Sequence, residues 1–473
     1  MRPYTILSPE TFSPLSFRDP DGRVYIDGDR VLRSVRKQAS EAILSFIHSD
    51  AAQRLIRAKK LIGSQLLADV PRASPDEDEM WLRHDKVSFA SFPFEWAPEM
   101  LHAAALLTLE ISEVAFHDGY ELKDATPFNV LFRGSQPVFI DVASIRKFAV
   151  DQAAWHAHAQ FAQTFLFPLL AHRLTGQRID SIFLNNRDGL TVREMKSLAG
   201  LWRSSVGRRL VLLSTWLEKW SRGATTGVRR VADPDAASFI RRSLYRRLRK
   251  DLLSLSPSLP PPDDVTEYST DRSSQEAEQT DTKQRVASDW LRDLKPGRVL
   301  DVGANSGDYS FLAAAQGASV VAIDRVPAAV SILWCRVREK NADILPLLVD
   351  LGRPTPATGW RNEEHASFLE RAKSHFDAVL FLAVLHHIVI NERAPLESLF
   401  QLLAGLTRDA LIIEFVSRED ANFKLVARGR DALFDSYTVE RFEETASHLF
   451  TIQSKVPLPG GTRTLYLMRK RYQ

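Results

Sequence analysis

The feature that most constrains this chain is a strand–turn–helix unit in its C-terminal half. Val299-Leu-Asp-Val-Gly-Ala-Asn-Ser-Gly307 closes a short apolar run and leads into an Ala-rich helical stretch. Glycines at 303 and 307 let the backbone pass close to a ligand, and the helix start beyond them presents unpaired N–H groups. Around this unit apolar runs alternate with helical patterns. Residues 298–302, 319–323, 345–349, 378–382 and 410–415 read as strands, with 451–455 and 464–468 as the last two. Apolar strands separated by helices predict an α/β domain whose mostly parallel sheet is covered on both faces. Asp301, Asp324 and Asp350 close the first three strands, so three carboxylates gather on the carboxyl edge, where open α/β sheets bind ligands.

Asp324 follows the glycine turn by about 20 residues, the spacing at which a carboxylate accepts both ribose hydroxyls of an adenosine. A dinucleotide site would need Gly-x-Gly-x-x-Gly, so that a diphosphate can rest on bare backbone. Here the middle position is Asn305, and Asp301 ahead of the turn repels phosphate but suits a ligand carrying an ammonium and a sulfonium.

At these residues the sequence resembles the class I S-adenosylmethionine-dependent methyltransferases. The family's acid-x-Gly-x-x-x-Gly loop corresponds to Asp301-Val-Gly303-Ala-Asn-Ser-Gly307, and Phe376-Asp-Ala-Val-Leu-Phe-Leu-Ala-Val-Leu-His-His-Ile388 is similar to its fourth motif. The resemblance covers residues 286–471. It implies a Rossmann-like domain with a seven-stranded, mostly parallel sheet and S-adenosyl-L-methionine as cofactor. It further implies that Asp301 lies near the methionine part and that Gly303 faces the cofactor by backbone. Asp324 would hold the ribose, Asp350 the adenine amino group, and Leu382 would approach the sulfur. Ala304, Asn305, Gly307, Arg325 and Leu351 complete the expected cofactor wall.

Such a reaction asks the protein to place a nucleophile and exclude water, and a hydroxyl acceptor also needs a general base. His386 and His387, just after the fourth strand, and Glu414, ending the fifth, are the candidates. Each also has a plainer reading: a helix cap, a packed core histidine, an acid bonded to backbone. In look-alike methyltransferases the late segments cover the acceptor pocket, so Arg428, Arg430 and Arg463 are candidates to bind an acidic acceptor, solvated surface arginines being the plainer alternative.

A chain of 473 residues exceeds one ordinary hydrophobic core. Its composition shifts at 254–285, where prolines give way to a polar, mostly acidic stretch that reads as a linker with a helical second half. The expected organisation is residues 1–253, a linker 254–285, and the methyltransferase-like domain 286–473. The first part reads as a mainly helical α+β domain. A hairpin joins 24–26 to 31–35 through Asp27-Gly28-Asp29. Short strands fall at 130–132 and 138–140, and helices fill most of the rest. Leu122-Lys-Asp124-Ala-Thr-Pro-Phe-Asn129 followed by Val138-Phe-Ile-Asp141 resembles the catalytic loop and metal-binding Asp of small-molecule kinase-like phosphotransferases. In those, the first Asp positions the acceptor hydroxyl, and the Asn with the later Asp holds Mg²⁺. No Gly-rich loop or strand lysine with a helix glutamate is recognisable upstream, so the resemblance implies a degenerate kinase-like binding domain. A bifunctional kinase/methyltransferase and a catalytically silent S-adenosylmethionine-binding regulatory protein are the alternatives.

Several partner classes are disfavoured. Lys+Arg 62 against Asp+Glu 59 leaves +3, no chain-wide field for nucleic acid or anionic membrane. The basic run Arg241–Lys250 carries Leu244 and Leu248 at helical spacing and one aromatic, Tyr245, and so reads as an amphipathic helix packed on its own domain. Nucleic acid is therefore not an expected partner. One cysteine, Cys335, forms neither an intrachain disulfide nor a Cys-based zinc site. Trp155, His156 and His158 lack an acid at ligand spacing, so no metal is expected. No apolar run approaches the roughly 20 residues of a membrane helix, and the start lacks a basic region followed by an apolar stretch, so a cytoplasmic location is expected. The expected partner is a small-molecule or saccharide acceptor. The pairing of the two halves also resembles a family of host-specificity nodulation proteins, which implies modification of a nodulation signal or a surface saccharide.

Overall fold

The computed structural model describes residue 16 and residues 18–67, 80–148, 155–198, 200–212, 233–258 and 274–471. The chain divides into two compact units, one of residues 1–258 with 357–366, the other of 259–356 with 367–473. The middle of the predicted linker, 259–273, and the first fifteen residues lie outside the described residues.

In the N-terminal unit, β1 (Gly22–Asp27) and β2 (Arg30–Val35) form the expected hairpin, with Asp27 opposite Arg30 and Gly28 at φ +57° in the turn. With β3 (Ser64–Leu66) and β4 (Met80–His84) they make an antiparallel sheet of order β1-β2-β4-β3. The helix Pro98–His117 is apolar almost all round, and Met100, Leu101, Ala104, Leu109 and Ile111 are buried, as a helix inside a core must be. Two small antiparallel pairs follow, β5 (Tyr120–Leu122) with β8 (Ile145–Lys147) and β6 (Val130–Arg133) with β7 (Gln136–Phe139).

The basic run belongs to the helix Pro234–Ser254, which turns Tyr245, Leu248 and Leu252 inward. It also buries Arg241 completely. That guanidinium meets Glu121 at 3.4 Å and lies 5.0 Å from the Phe148 ring centroid, so the burial of one charge is offset by an acid and an aromatic face. Residues 357–366 cluster with this unit although they fall late in the sequence, a placement that no local pattern announces. There Glu364 accepts Arg18 at 2.8 and 3.3 Å, and His365 sits edge-on to Phe92 at 4.9 Å.

The C-terminal unit holds a seven-stranded sheet: β9 (Arg298–Val302), β10 (Ser319–Asp324), β11 (Ile344–Leu348), β12 (Phe376–Phe381), β13 (Thr407–Val416), β14 (Phe450–Pro457) and β15 (Arg463–Lys470). Its order is β11-β10-β9-β12-β13-β15-β14. β9 to β13 run parallel, β15 is antiparallel to β13, and β14 is antiparallel to β15. The parallel strands are buried on both faces, as their unbroken apolar runs require. Val299, Val320, Ala322, Leu380 and Ile412 share one core cluster. This is a doubly wound α/β sheet extended by an antiparallel hairpin. From β9 the chain passes to β10 on one side and, later, to β12 on the other, so the carboxyl ends of β9 and β12 flank the switch crevice.

The helix Ser274–Leu294 begins inside the stretch read as linker. Its second half carries the reason: Ala287 and Leu291 are buried, and Val286, Trp290 and Leu294 pack on the same core cluster.

Candidate active site

The turn after β9 is held by its own backbone. The N–H groups of Gly303 and Ala304 both donate to the Ile323 carbonyl at 2.9 and 3.0 Å, and that of Gly307 donates to Ala304 at 2.8 Å. Gly303 at φ +69° and Gly307 at φ +88° occupy the left-handed region. A Cβ on Gly303 would come within 2.5 Å of Val384 Cγ2, and one on Gly307 within 2.2 Å of Leu333 Cδ1. The loop therefore needs glycine for shape and for space. The carboxylate of Asp324, at the end of β10, accepts the Asn305 N–H at 2.8 Å and the Val326 N–H at 2.9 Å. Burial pushes this carboxyl above its ordinary range, the two N–H donors opposing the shift.

These groups border a cavity of about 320 Å³. Of the expected cofactor residues, Gly303, Asn305, Asp324, Arg325, Asp350, Leu351 and Leu382 line it, whereas Asp301, Ala304 and Gly307 do not. The Asp350 carboxylate accepts the Gly352 N–H at 2.9 Å. Asp301 is buried behind the turn and accepts the Ser310 hydroxyl at 2.6 Å. Burial pushes its carboxyl up to about 7, with Ser310 pulling the other way.

The three base candidates separate. His387 lines the cavity. His386 is buried, its ring centroid 4.3 Å from that of His387, and burial lowers its pKa to about 3, so the ring is neutral. Glu414 is fully buried, ion-paired to Lys283 and, at 3.5 Å, to Arg463. Arg463 also grips Asp420 with two bonds of 2.8 and 3.0 Å. Arg428 ends the helix Ala421–Ala427 at φ +52°, and Arg430 Nε donates to the Ala427 carbonyl. None of these three arginines lines the cavity.

The structure adds residues that sequence reasoning missed. Val384, Asn391, Glu392 and Asn422 line the cavity, and Lys283, which does not line it, is ion-paired to the buried Glu414. Lys283 shares a helical stripe with Ala287, Leu291 and Leu294, a signal hidden by the polar composition of its segment. Asn422 follows Asp420, whose side chain caps that helix. Among the described residues no group of three His, Cys, Asp or Glu side chains forms a metal site, and no helix is long and apolar enough to cross a membrane.

Donor-set chemistry separates the ligand classes. A diphosphate seeks free N–H groups at such a turn, but those of residues 303, 304, 305 and 307 are all committed within the protein. An adenosine asks instead for carboxylates and bare backbone, which Asp324, Asp350 and Gly303 supply at the cavity wall.

Comparison with known proteins agrees with this chemistry. The methyltransferase domain family matches residues 240–454. The nodulation protein NoeA of Rhizobium meliloti (strain 1021) is 30% identical over 473 residues, spanning 96% of this chain and 95% of that protein. Among solved structures, magnesium protoporphyrin IX methyltransferase (ChlM) from Synechocystis PCC 6803 with bound SAH is 17% identical, covering 43% of this chain and 90% of that one at a TM-score of 0.31. N-methyltransferase NodS from Bradyrhizobium japonicum WM9 is 13% identical, covering 40% and 97% at a TM-score of 0.28. Likenesses this slight carry no argument of their own. The relation along nearly the whole length does: the chain belongs to the family of nodulation protein NoeA and is an S-adenosylmethionine-dependent methyltransferase.

Proposed function

We propose that the cavity at the carboxyl edge of β9, β10 and β11 is the methyl-donor site, and that the chain methylates a hydroxyl-bearing acceptor in modifying a nodulation signal or a surface saccharide. One observation carries the donor-site reading. Gly303, Asp324, Asp350 and Leu382 come from four separate sequence motifs, yet they line one cavity together with His387.

When bound, S-adenosylmethionine supplies a methyl group already activated by the sulfonium. The protein's share is to hold, orient and deprotonate. Asp324 takes the ribose hydroxyls and Asp350 the adenine amino group. Gly303 lets the backbone lie close, and Asp301, behind the turn and off the cavity wall, favours the cationic amino end from there. His387 is assigned the general base, because of the three candidates it alone faces the cavity. Glu414 is committed to Lys283 and Arg463, and His386 backs the His387 ring. With Arg463 committed and Arg428 and Arg430 off the cavity, an acidic acceptor gains no support. The role in nodulation is supported by the relation to NoeA.

The N-terminal unit is read as a degenerate kinase-like binding domain. Support comes from the β6–β7 hairpin that follows Asn129 directly, with Asp141 just beyond it. Phosphotransfer is disfavoured because the Asp141 carboxylate is ion-paired to Arg33 at 2.9 Å, where a metal would need it.

The test is calorimetric binding of S-adenosylhomocysteine, followed by a tritiated-methyl transfer screen over saccharides, lipids, RNA and small metabolites. Saccharide labelling that His387→Ala abolishes is expected. Absence of nucleoside binding overturns the donor site, and labelling confined to RNA overturns the acceptor class.

A further inference from the structure

The helix Pro234–Ser254 has two faces, and the packing of its own unit uses one of them. Ala237, Arg241, Tyr245, Leu248 and Leu252 turn inward. The opposite side of the 3.6-residue period is basic. Arg242, Arg246, Arg247 and Lys250 are exposed there, and none forms an ion pair among the described residues. Their neighbour Arg249, by contrast, is paired to Glu113. The one acid between Ala236 and Ser254 is Asp251, which is buried and held by Arg209. The chain as a whole carries only +3, so this row of cations is a local feature.

The same face carries apolar side chains that the fold leaves in water. Phe239 is 66% exposed, Leu253 59% and Ile240 49%. Phe239 and Leu253 lie about four turns, or roughly 20 Å, apart on one side of the helix, with Arg246 and Lys250 on the line between them. Two apolar pegs with cations between them can meet one flat surface together. A lipid surface answers both kinds of side chain. Anionic headgroups neutralise the cations, whose aliphatic stems reach up to the phosphates while the pegs enter the acyl boundary. A nucleic acid answers the cations alone, since its bases stack on aromatic rings and Phe239 is the single exposed ring on this helix. A second copy of the helix would set like charges against each other.

We propose that the outer face of the helix Pro234–Ser254 docks the N-terminal unit on an anionic lipid surface. The proposal stands apart from the donor site, because no residue lining that cavity lies on this helix. Each cation held near an anionic leaflet strengthens binding about fivefold, and salt screens the gain.

The test is flotation of the full chain with vesicles of phosphatidylcholine alone and of phosphatidylcholine with about 30% phosphatidylglycerol. Binding to the anionic vesicles should exceed binding to the neutral ones by about tenfold or more and fall as salt is raised. Arg242→Gln, Arg246→Gln, Arg247→Gln and Lys250→Gln combined should weaken it about tenfold or more. Phe239→Ser with Leu253→Ser, which keeps every cation, should weaken it about fivefold or more. If a combined variant does not fold, Phe239→Ser and Arg246→Gln singly decide, each with a loss of about twofold or more. Failure to float with anionic vesicles, or equal binding to both kinds, overturns the proposal. An apolar variant that floats as the wild type does also overturns it, since the helix is then a polycation that adsorbs to any polyanion. So does a single-stranded RNA that binds the wild-type chain as tightly as the anionic vesicles do and loses that binding in the glutamine variant.

Discussion

The carboxylate of Asp324 accepts the backbone N–H of Asn305 at 2.8 Å, tying the end of β10 to the glycine turn that follows β9. The side chain proposed to hold the ribose thus also sets the shape of the loop proposed to face the cofactor. Its second oxygen takes the Val326 N–H at 2.9 Å. Asp324→Ala should therefore act twice. Loss of charge-assisted bonds should weaken S-adenosylhomocysteine by about 1–3 kcal/mol, and two orphaned N–H groups should lower the stability of the unliganded chain by about 1–3 kcal/mol. Calorimetry reads the first and denaturant unfolding the second. Unchanged affinity removes the ribose assignment even if stability falls.

Asp301 gives a pH dependence whose sign is fixed by burial. Its carboxyl titrates near 7 in the folded chain, against 3.8 ordinarily. A raised acid means that the folded state binds more protons than the unfolded one between about pH 4 and 7. Stability contributed by this group is therefore lost as pH rises through that window, by up to roughly 4 kcal/mol. Asp301→Asn should flatten this fall and be more stable than wild type at pH 8, the gap closing toward pH 4, as followed by denaturant midpoints at several pH values. A cation bound beside Asp301 reverses the shift, so S-adenosylhomocysteine binding near pH 6.5 should release a proton in wild type and not in the variant. Calorimetry in buffers of different ionisation heat measures that release.

Much of the C-terminal sheet is readable because its signals are local. An apolar run, a glycine turn and a closing acid at Asp301, Asp324 and Asp350 each sit within a few residues of one another, and the parallel sheet follows from their repetition. What could not be read is pairing across the chain. Glu414 looks like a free acid at a strand end until Lys283 and Arg463 are brought to it from more than a hundred residues upstream and from the last strand. His386 and His387 are adjacent in sequence, yet one faces the core and the other the cavity, a difference set by how the chain turns after β12. The left-handed Ala383, at φ +57°, marks that turn and has no sequence signature. In the N-terminal unit the spacing of Asp124, Asn129 and Asp141 was visible, but the arginine that occupies Asp141 comes from β2.

Gly307 tests the packing of the turn apart from ligand chemistry. Gly307→Ala places a Cβ 2.2 Å from Leu333 Cδ1 in a left-handed backbone. Strain and overpacking together should cost about 1–4 kcal/mol. Truncating the obstruction as well, in Gly307→Ala with Leu333→Ala, should cost less than the sum of the two single changes, because the clash is gone. Urea midpoints of the four proteins form the cycle, and strict additivity would show that the loop relaxes away from Leu333.

Arg33 is the residue through which the proposed kinase-like reading of the N-terminal unit can be tested. Its guanidinium bridges Asp19 at 3.1 Å and Asp141 at 2.9 Å, and the side chain is 9% exposed. Asp124 stands close enough for Asp141 and Asp19 to add to the burial that raises its carboxyl, so Arg33 is a cation within a group of three acids. A metal would have to displace it, and the bound guanidinium should exclude that exchange at millimolar concentrations. Magnesium with ATP should leave the thermal midpoint of the wild-type chain unchanged. Arg33→Ala should destabilise the unit by about 2–4 kcal/mol, since two partly buried carboxylates lose their partner. Part of that loss should return when Mg²⁺ or Mn²⁺ is added, because a divalent ion can then take the vacated place, with Mn²⁺ visible by electron paramagnetic resonance as a bound species absent from wild type. Stabilisation of the wild type by magnesium and ATP would instead mean that Arg33 yields the site, and the phosphotransferase reading would return.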